Sequence, residues 1–185
     1  MADRRLILVG PGHAHLTTIA NLDSIVGAGV SATVISLRSY QYYSGMGLGL
    51  LSGRYDPGDL RFNIRMLCER RGARFVEGRV VGTRPGERRI YLEDRSDFDY
   101  DVISFNIESI VDPRSAGLSG ADSLTPVKPV HRYFDARCSI SNSLNRGSVR
   151  LVVVGGGPAG VETAATQGRI LKRFPARIRK ICCAN

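Results

Sequence analysis

The sequence predicts an α/β fold built on a parallel sheet, with a small antiparallel β-meander in the same chain. Two short apolar runs, residues 6–9 and 150–154, each have the composition of a strand buried on both faces. A glycine-rich turn and a helical pattern follow each run, which is the order of a β–α–β unit. At 185 residues and 43% hydrophobic, the chain is long enough to bury a core.

Local patterns assign the elements of the first 71 residues. Apolar residues at helical spacing predict a helix over residues 13–22, and a second strand is predicted over residues 31–37. Residues 40–54 are rich in glycine and tyrosine without a clean period, so we expect a functional loop or a broken helix. Asp59 is expected to cap a further helix that ends near Arg71.

The rest of the chain alternates between strand and helix patterns. Three strands are predicted over residues 74–81, 89–93 and 99–105, with Pro85-Gly86 and an acidic cluster supplying the turns between them. A helix is predicted over residues 130–144. After the second glycine-rich turn, we expect a helix at residues 158–172 and an apolar-rich strand at residues 177–183.

Several protein classes are excluded by composition. No run of roughly 18 apolar residues is present, and the N-terminal apolar run is too short for a signal peptide, so we expect a cytoplasmic protein. The four cysteines form no C-x-x-C pair, and the three histidines lack metal-ligand spacing. Neither a disulfide framework nor a metal site is therefore expected.

The net charge of +9 lies almost entirely in the last third of the chain. Residues 121–185 hold 11 Lys and Arg against 3 Asp and Glu. The basic stretch at residues 169–180 is typical either of a surface for membrane or nucleic acid, or of a solvated helix end, and the second interpretation is simpler. No nucleic-acid motif accompanies it, so no nucleic-acid partner is expected.

The second glycine-rich turn has the full G-x-G-x-x-G pattern between a strand and a helix. Gly155 permits the tight turn, Gly157 lets the backbone approach a pyrophosphate, and Gly160 lets the helix pack close to the strand. The helix N-terminus offers free N–H groups to phosphate. The predicted cofactor contacts of this turn are Gly155, Gly157, Pro158, Ala159, Gly160 and Glu162.

The first glycine-rich turn has the same place in its β–α unit but departs from the pattern. Gly10 and Gly12 are present, whereas His15 stands at the third glycine position. Two interpretations are open for the histidines: they are buried or capping residues, or they donate to phosphate at the helix start. The predicted contacts of this turn are Gly10, Gly12, His13, Ala14 and His15.

A dinucleotide-binding unit usually carries an acidic residue about 20 residues after the turn, where it binds the ribose. At the end of the second predicted strand this chain has no carboxylate. Ser36 and Arg38 occupy that place, and we expect them to bind ribose or phosphate instead. For the second turn, the matching position falls at the end of the sequence.

The sequence resembles the pyridine nucleotide-disulfide oxidoreductase superfamily, on the branch of type II NADH dehydrogenases and sulfide:quinone oxidoreductases. It is more similar still to the NADH-dehydrogenase-like flavoproteins found alone or fused to selenide, water dikinase. The residues that carry the resemblance are the two glycine-rich turns together with residues 43–46, 100–104 and 126–129.

The resemblance implies an FAD-dependent NAD(P)H oxidoreductase that passes electrons from nicotinamide through flavin to an acceptor such as a quinone. It implies an FAD-binding domain over residues 1–120, with Ser44, Val80 and Ser109 as further FAD contacts. Residues 121–185 would begin an NAD(P)-binding domain that is incomplete. Residues 40–54 contain no cysteine, so direct transfer from flavin is expected in place of a dithiol relay.

A second hypothesis is a non-catalytic dinucleotide-binding module. His15 favours it, as does Glu108, which stands where relatives carry glycine and where a carboxylate would repel flavin phosphates. The expected partners are a nicotinamide nucleotide and an unidentified electron acceptor, and peripheral membrane contact and homo-oligomerisation are left open. No catalytic residue is assigned.

Overall fold

A computed structural model describes residues 4–117, 124–147, 149–172 and 178–184. Its strands are β1 (Arg4–Val9), β2 (Val30–Ser36), β3 (Tyr40–Tyr42), β4 (Arg61–Asn63), β5 (Arg74–Glu77), β6 (Val80–Arg84), β7 (Arg89–Leu92), β8 (Asp97–Asp99), β9 (Val102–Phe105), β10 (Val149–Val154) and β11 (Ile178–Ala184). Its helices are α1 (His13–Ala20), α2 (Leu22–Gly27), α3 (Gly47–Leu51), α4 (Ile64–Glu69), α5 (Arg132–Arg146) and α6 (Pro158–Lys172). The α/β class, the parallel sheet and the antiparallel strands are confirmed.

The chain forms two compact units. The first unit consists of Met1–Gln41 and Phe62–Glu108, and the second of Tyr42–Arg61 and Ser109–Asn185. This grouping by contact places residues 42–61 with the C-terminal part of the chain. The assignment of an FAD domain to residues 1–120 and an NAD(P) domain to residues 121–185 stays a prediction.

The first unit is built on a four-stranded sheet in the order β5-β2-β1-β9, and its pairings are parallel. The central strands are apolar because both faces of the sheet are covered. One face packs Leu8 and Val34 against α1 and α4, where Ile19 and Ile64 are buried. The opposite face packs against the antiparallel meander β6-β7-β8.

Two predicted strands are wrong in extent because each changes partner partway along. Residues 74–81 divide at Gly78 into β5 in the parallel sheet and β6 in the meander. Residues 99–105 divide in the same way: the Tyr100 amide donates to Arg88, whereas the Asp101 amide donates to Arg5 in β1. The switch from one sheet to the other therefore occurs between adjacent residues.

Two helix boundaries also differ from the predictions. The first helix ends at Ala20, and a separate helix, α2, follows Asn21. Asp59 does not cap the next helix, because its carboxylate accepts from the Asp56 amide at 2.9 Å. The cap of α4 is Asn63, whose side chain accepts from the Met66 amide.

In the second unit, residues 42–61 pack against α5. The segment predicted as a loop or broken helix contains a short 3₁₀ turn at Ser44–Met46 and then α3, whose Leu50 and Leu51 are buried with Tyr133 and Leu144. A Cβ at Gly47 would lie 2.6 Å from Val130 Cγ2, so this close packing requires glycine there.

A β–α–β unit completes the described part of the second unit. Strands β10 and β11 pair in parallel, and α6 connects them. The helix has the predicted limits, and both strands lie within one residue of their predicted ends. Among the described helices, none combines the length and the apolar character that a membrane span requires.

Candidate dinucleotide-binding turns

The first glycine-rich turn follows β1 at the carboxyl end of the parallel sheet. Gly10 has a φ of +80°, a conformation that favours glycine, and its amide donates to the Ile35 carbonyl at 2.8 Å. The Gly12 amide donates to the Asn106 carbonyl, and the Asn106 amide donates to Val9, each at 2.9 Å. The turn is thus joined by hydrogen bonds to β2 and to the segment after β9.

The segment after β9 explains why Gly10 and Gly12 must both be glycine. A Cβ at Gly10 would lie 2.6 Å from the Asn106 carbonyl oxygen and 2.9 Å from Ile107 Cα. A Cβ at Gly12 would collide with the Asn106 side chain and lie 2.6 Å from its carbonyl oxygen. The approach of this backbone is sufficient to require glycine at both positions, and their predicted contact with a cofactor stays a prediction.

His15 is buried, with 4% of its surface exposed. Its Nδ1 donates to the Gly10 carbonyl at 2.6 Å, and its Nε2 lies 2.9 Å from the Ser104 hydroxyl on β9. Both ring nitrogens therefore have partners in the protein, which matches the interpretation of a buried histidine. His13 and Ala14 are exposed at the start of α1.

The end of β2 lies beside this turn, because the register pairs Val9 with Ile35. Ser36 is buried, and its hydroxyl accepts weakly from the Arg38 amide at 3.4 Å. Arg38 is exposed. The structure therefore brings Ser36 and Arg38 to the same sheet edge as Gly10, and their contact with a ribose or phosphate stays a prediction.

The three contacts implied by the resemblance lie in different surroundings. Val80 is half-buried and packs against the meander-covered face of the first unit. Ser44 and Ser109 belong to the second unit, where both are exposed and the Ser109 hydroxyl accepts from Lys128 Nζ at 2.9 Å. Nothing in the structure tests these three residues as FAD contacts.

Glu108 has a partner that its sequence position does not reveal. Gln41 Nε2 donates to its carboxylate at 2.6 Å, and both residues belong to the first unit. For Asn106, sequence reasoning missed the contact with Gly12 in the first turn. Asn106 follows β9 directly at the carboxyl edge of the parallel sheet, and that position was the available signal.

The second glycine-rich turn has a different geometry. Gly155 has a φ of +122°, and a Cβ at Gly160 would collide with the Gly155 carbonyl oxygen, so α6 packs closely on the turn. A Cβ at Gly157 would meet no described atom within 4 Å. The other predicted contacts are also exposed: Pro158 and Ala159 lie in the first turn of α6, and Glu162 lies just after it.

The open space beside Gly157 fits a phosphate group. Pro158 carries no N–H, and the Gly160 and Val161 amides donate to the Gly157 carbonyl at 2.9 and 3.1 Å, so Ala159 supplies the first amide of α6 without a described backbone partner. The helix dipole is positive at this end. A dinucleotide pyrophosphate needs backbone amides and room beside the second glycine, and both are present. The residues of this turn therefore fit the predicted group, although their contacts with it stay predictions.

The cysteine of the first unit is not a candidate nucleophile. Cys68 is buried in the core of α4, and burial raises the pKa of its thiol to about 11. A thiol with that pKa is almost wholly protonated at neutral pH. The sequence of the first unit contains no other cysteine, so this unit supplies no reactive thiol.

Similarity to known proteins is confined to structure. No family model and no curated protein sequence matches the chain. Sulfide:quinone oxidoreductase from Aquifex aeolicus superposes with a TM-score of 0.78 and 14% identity, over 98% of this chain and 43% of that one. NDH2 from Plasmodium falciparum in complex with NADH gives a TM-score of 0.79 and 18% identity, over 98% of this chain and 41% of that one.

NADH:rubredoxin oxidoreductase from Clostridium acetobutylicum has a TM-score of 0.64 and 16% identity, over 98% of this chain and 44% of that one. The chain thus spans about two fifths of the length of these structures. Both glycine-rich turns fall within the matched part. The chain therefore shares the fold of these oxidoreductase structures, an α/β fold with two strand–glycine turn–helix units in the order that the sequence predicted.

Proposed function

We propose that the chain is the dinucleotide-binding part of an FAD-dependent NAD(P)H oxidoreductase. The first turn binds the ADP portion of FAD, and the second binds NAD(P)H. When bound, the flavin supplies two-electron chemistry: it takes a hydride from nicotinamide and passes electrons to an acceptor such as a quinone. The observation that carries the proposal is the presence of two strand–glycine turn–helix units in one chain with this fold.

The residues of the second turn have a defined task in this proposal. The N-terminal amides of α6 bind the pyrophosphate, and Gly157 keeps the approach clear because it carries no side chain. Gly160 holds the helix against the turn, so that these amides stay aligned. Glu162 lies beyond the first amides and faces solvent.

In the proposal, the first turn also binds phosphate, but different residues hold its backbone in place. His15 and Asn106 fix the backbone of the turn, and His13 is exposed at the start of α1. The amide of Gln41 holds the Glu108 carboxylate, which reduces the repulsion that a carboxylate would exert on flavin phosphates. The first turn is therefore compatible with FAD despite its departures from the motif.

The proposal is tested by purifying the chain, adding FAD, removing unbound flavin and recording the flavin band near ~450 nm. We expect retained flavin, and bleaching of the band when NADH is added under nitrogen. Colourless protein that cannot be loaded with FAD would contradict the FAD assignment for this chain.

A second function, a non-catalytic dinucleotide-binding module, is favoured by the fixed state of His15, whose two nitrogens are occupied within the protein. The same experiment separates the two functions. Flavin that binds but is not bleached by NADH, although NADH itself binds, would support the module and contradict electron transfer.

A further inference from the structure

One face of the first unit's sheet carries a row of polar side chains at the amino ends of its strands. The parallel register pairs Arg5 with Ser31, Ile7 with Thr33, and Thr33 with Arg74. In a parallel sheet, paired residues project to the same face, and alternate residues along a strand share that face. These five side chains therefore form one continuous surface.

The meander covers only part of this face. Toward the carboxyl ends of the strands, Val9 and Ile35 pack with Ile90, Leu92 and Tyr100 into an apolar core. Toward the amino ends, a cavity of about 480 Å³ remains between the sheet and β8. We name it the amino-end cleft, and the lining residues that matter here are Arg5, Ile7, Ser31, Thr33, Arg74 and Phe98.

The acidic side chains at the rim of the cleft are already paired. Arg89 Nε donates to Asp99 at 2.8 Å, and Arg5 Nη1 lies 3.2 Å from the same carboxylate. Asp97 lies 3.9 Å from Arg89 Nη1. These guanidinium groups pair both carboxylates that line the cleft, and Arg5 is shared with Asp101.

Three polar groups of the cleft are not used by the protein itself. The Arg74 guanidinium lies 5.1 Å above the centre of the Phe98 ring, and within the described residues it has no ion pair or hydrogen bond. The hydroxyls of Ser31 and Thr33 likewise have no described side-chain hydrogen bond. One guanidinium and two hydroxyls that line the same cleft are a donor set for a carboxylate or another oxyanion.

We propose that the amino-end cleft binds a small organic anion. Its carboxylate is bound by Arg74 with Thr33 and Ser31, and its apolar part lies against Phe98. The volume of about 480 Å³ lies in the range of small-molecule sites and exceeds what a bare inorganic anion fills. The apolar wall and the stacked guanidinium select an organic anion over a free phosphate.

This site is separate from the proposed dinucleotide site and does not depend on it. Gly10 follows Arg5 by five positions, which is about 16 Å along an extended strand. Nucleotides bind such sheets at the carboxyl ends of the strands, whereas the cleft lies at the amino ends. A ligand here is therefore expected to bind independently of FAD or ADP.

The test uses benzoate as the probe, with the full chain and calorimetric or ligand-detected NMR titration. We expect saturable binding that Arg74→Gln weakens by about tenfold or more, because a charge-assisted pair is lost. Arg54→Gln is the matched control, since Arg54 also stacks on an aromatic ring, that of Tyr55, but belongs to the second unit. Thr33→Val, which keeps the side-chain shape, is expected to weaken benzoate binding by a smaller factor.

Three results would overturn the proposal. Equal benzoate affinity in wild type and in folded Arg74→Gln would remove the guanidinium from the site. Inorganic phosphate binding as tightly as benzoate would show a bare oxyanion site without the apolar component. Competitive displacement of benzoate by ADP would place the anion in the nucleotide site, whereas unchanged benzoate affinity in saturating ADP supports the separate cleft.

Discussion

The two glycine-rich turns share a sequence pattern but meet different surroundings. In the first turn, the Asn106 backbone lies where a side chain at Gly12 would project, so the protein itself fills the space. In the second turn, the corresponding Gly157 has open space beside it among the described atoms. The same residue type is thus required by internal packing in one turn and leaves room for a ligand in the other.

The third position of the motif shows the same contrast. Gly160 lies against the Gly155 carbonyl so closely that no side chain fits. His15 meets the corresponding carbonyl, that of Gly10, with a hydrogen bond from its ring. A larger residue is accepted in the first turn because its side chain bonds to the carbonyl that the glycine of the second turn merely contacts.

The largest stability difference is expected from the same substitution in both turns. Gly12→Ala places a methyl group into the Asn106 segment and is expected to lower the free energy of unfolding by about 1–3 kcal/mol. Gly157→Ala meets open space, and we expect a change within about 0.5 kcal/mol. Urea unfolding of both variants measures the difference. Equal losses of unfolding free energy would contradict the contrast between the two turns.

A somewhat smaller loss of unfolding free energy is expected from a substitution at the third motif position of the first turn, His15. His15→Ala removes two buried hydrogen bonds and leaves the Gly10 carbonyl without its side-chain donor, which we expect to cost about 1–2 kcal/mol. His13→Ala is the matched control, because His13 is exposed two residues earlier. If the two alanine variants unfold at the same urea concentration, His15 does not hold the turn.

The smallest expected change in the free energy of unfolding concerns the amino end of β1, and it depends on pH in the acidic range. The backbone N–H of Arg5 donates to Asp101 at 2.7 Å, and this bond lowers the pKa of that carboxyl from 3.8. Because the folded pKa is the lower one, the stabilisation is complete above about pH 4. It is lost as the pH falls through the folded pKa.

Asp101→Asn should therefore unfold more easily than wild type at pH 7, and the difference should shrink as the pH falls through the folded pKa of Asp101. Asp23→Asn, the same carboxyl-to-amide change at an exposed residue of α2, is the matched control. A difference for Asp101→Asn that stays constant with pH would show that the carboxylate charge does not stabilise this end of the strand.

The second β–α–β unit was the easier one to predict from sequence. Its strand, turn and helix are contiguous, so Pro158 at the first helical position and the Gly155 turn define the boundaries locally. The predicted strands over residues 74–81 and 99–105 were wrong in extent because the change of partner at Gly78 and at Tyr100–Asp101 is a tertiary event. No local pattern records it.

The candidate sites were predictable from the sequence to about the same degree as the fold. Sequence spacing identified both turns, but it left two interpretations of His15, and only the positions of Gly10 and Ser104 distinguish them. The roles of Asn106 and Gln41 depend on residues far away in the chain, so spacing could not reveal them. Local motifs predict where a turn lies, whereas packing decides what fills it.

The central claim, that the second turn is open for a dinucleotide, is tested most directly by the NADH affinity of Gly157→Val. Gly86→Val is the control, because Gly86 also has open space around it but lies in the meander turn. NADH binding is measured by NADH fluorescence with FAD-loaded protein. Gly157→Val is expected to abolish NADH binding without changing the flavin content, and Gly86→Val is expected to leave both unchanged. NADH binding to Gly157→Val with the wild-type affinity would contradict the claim.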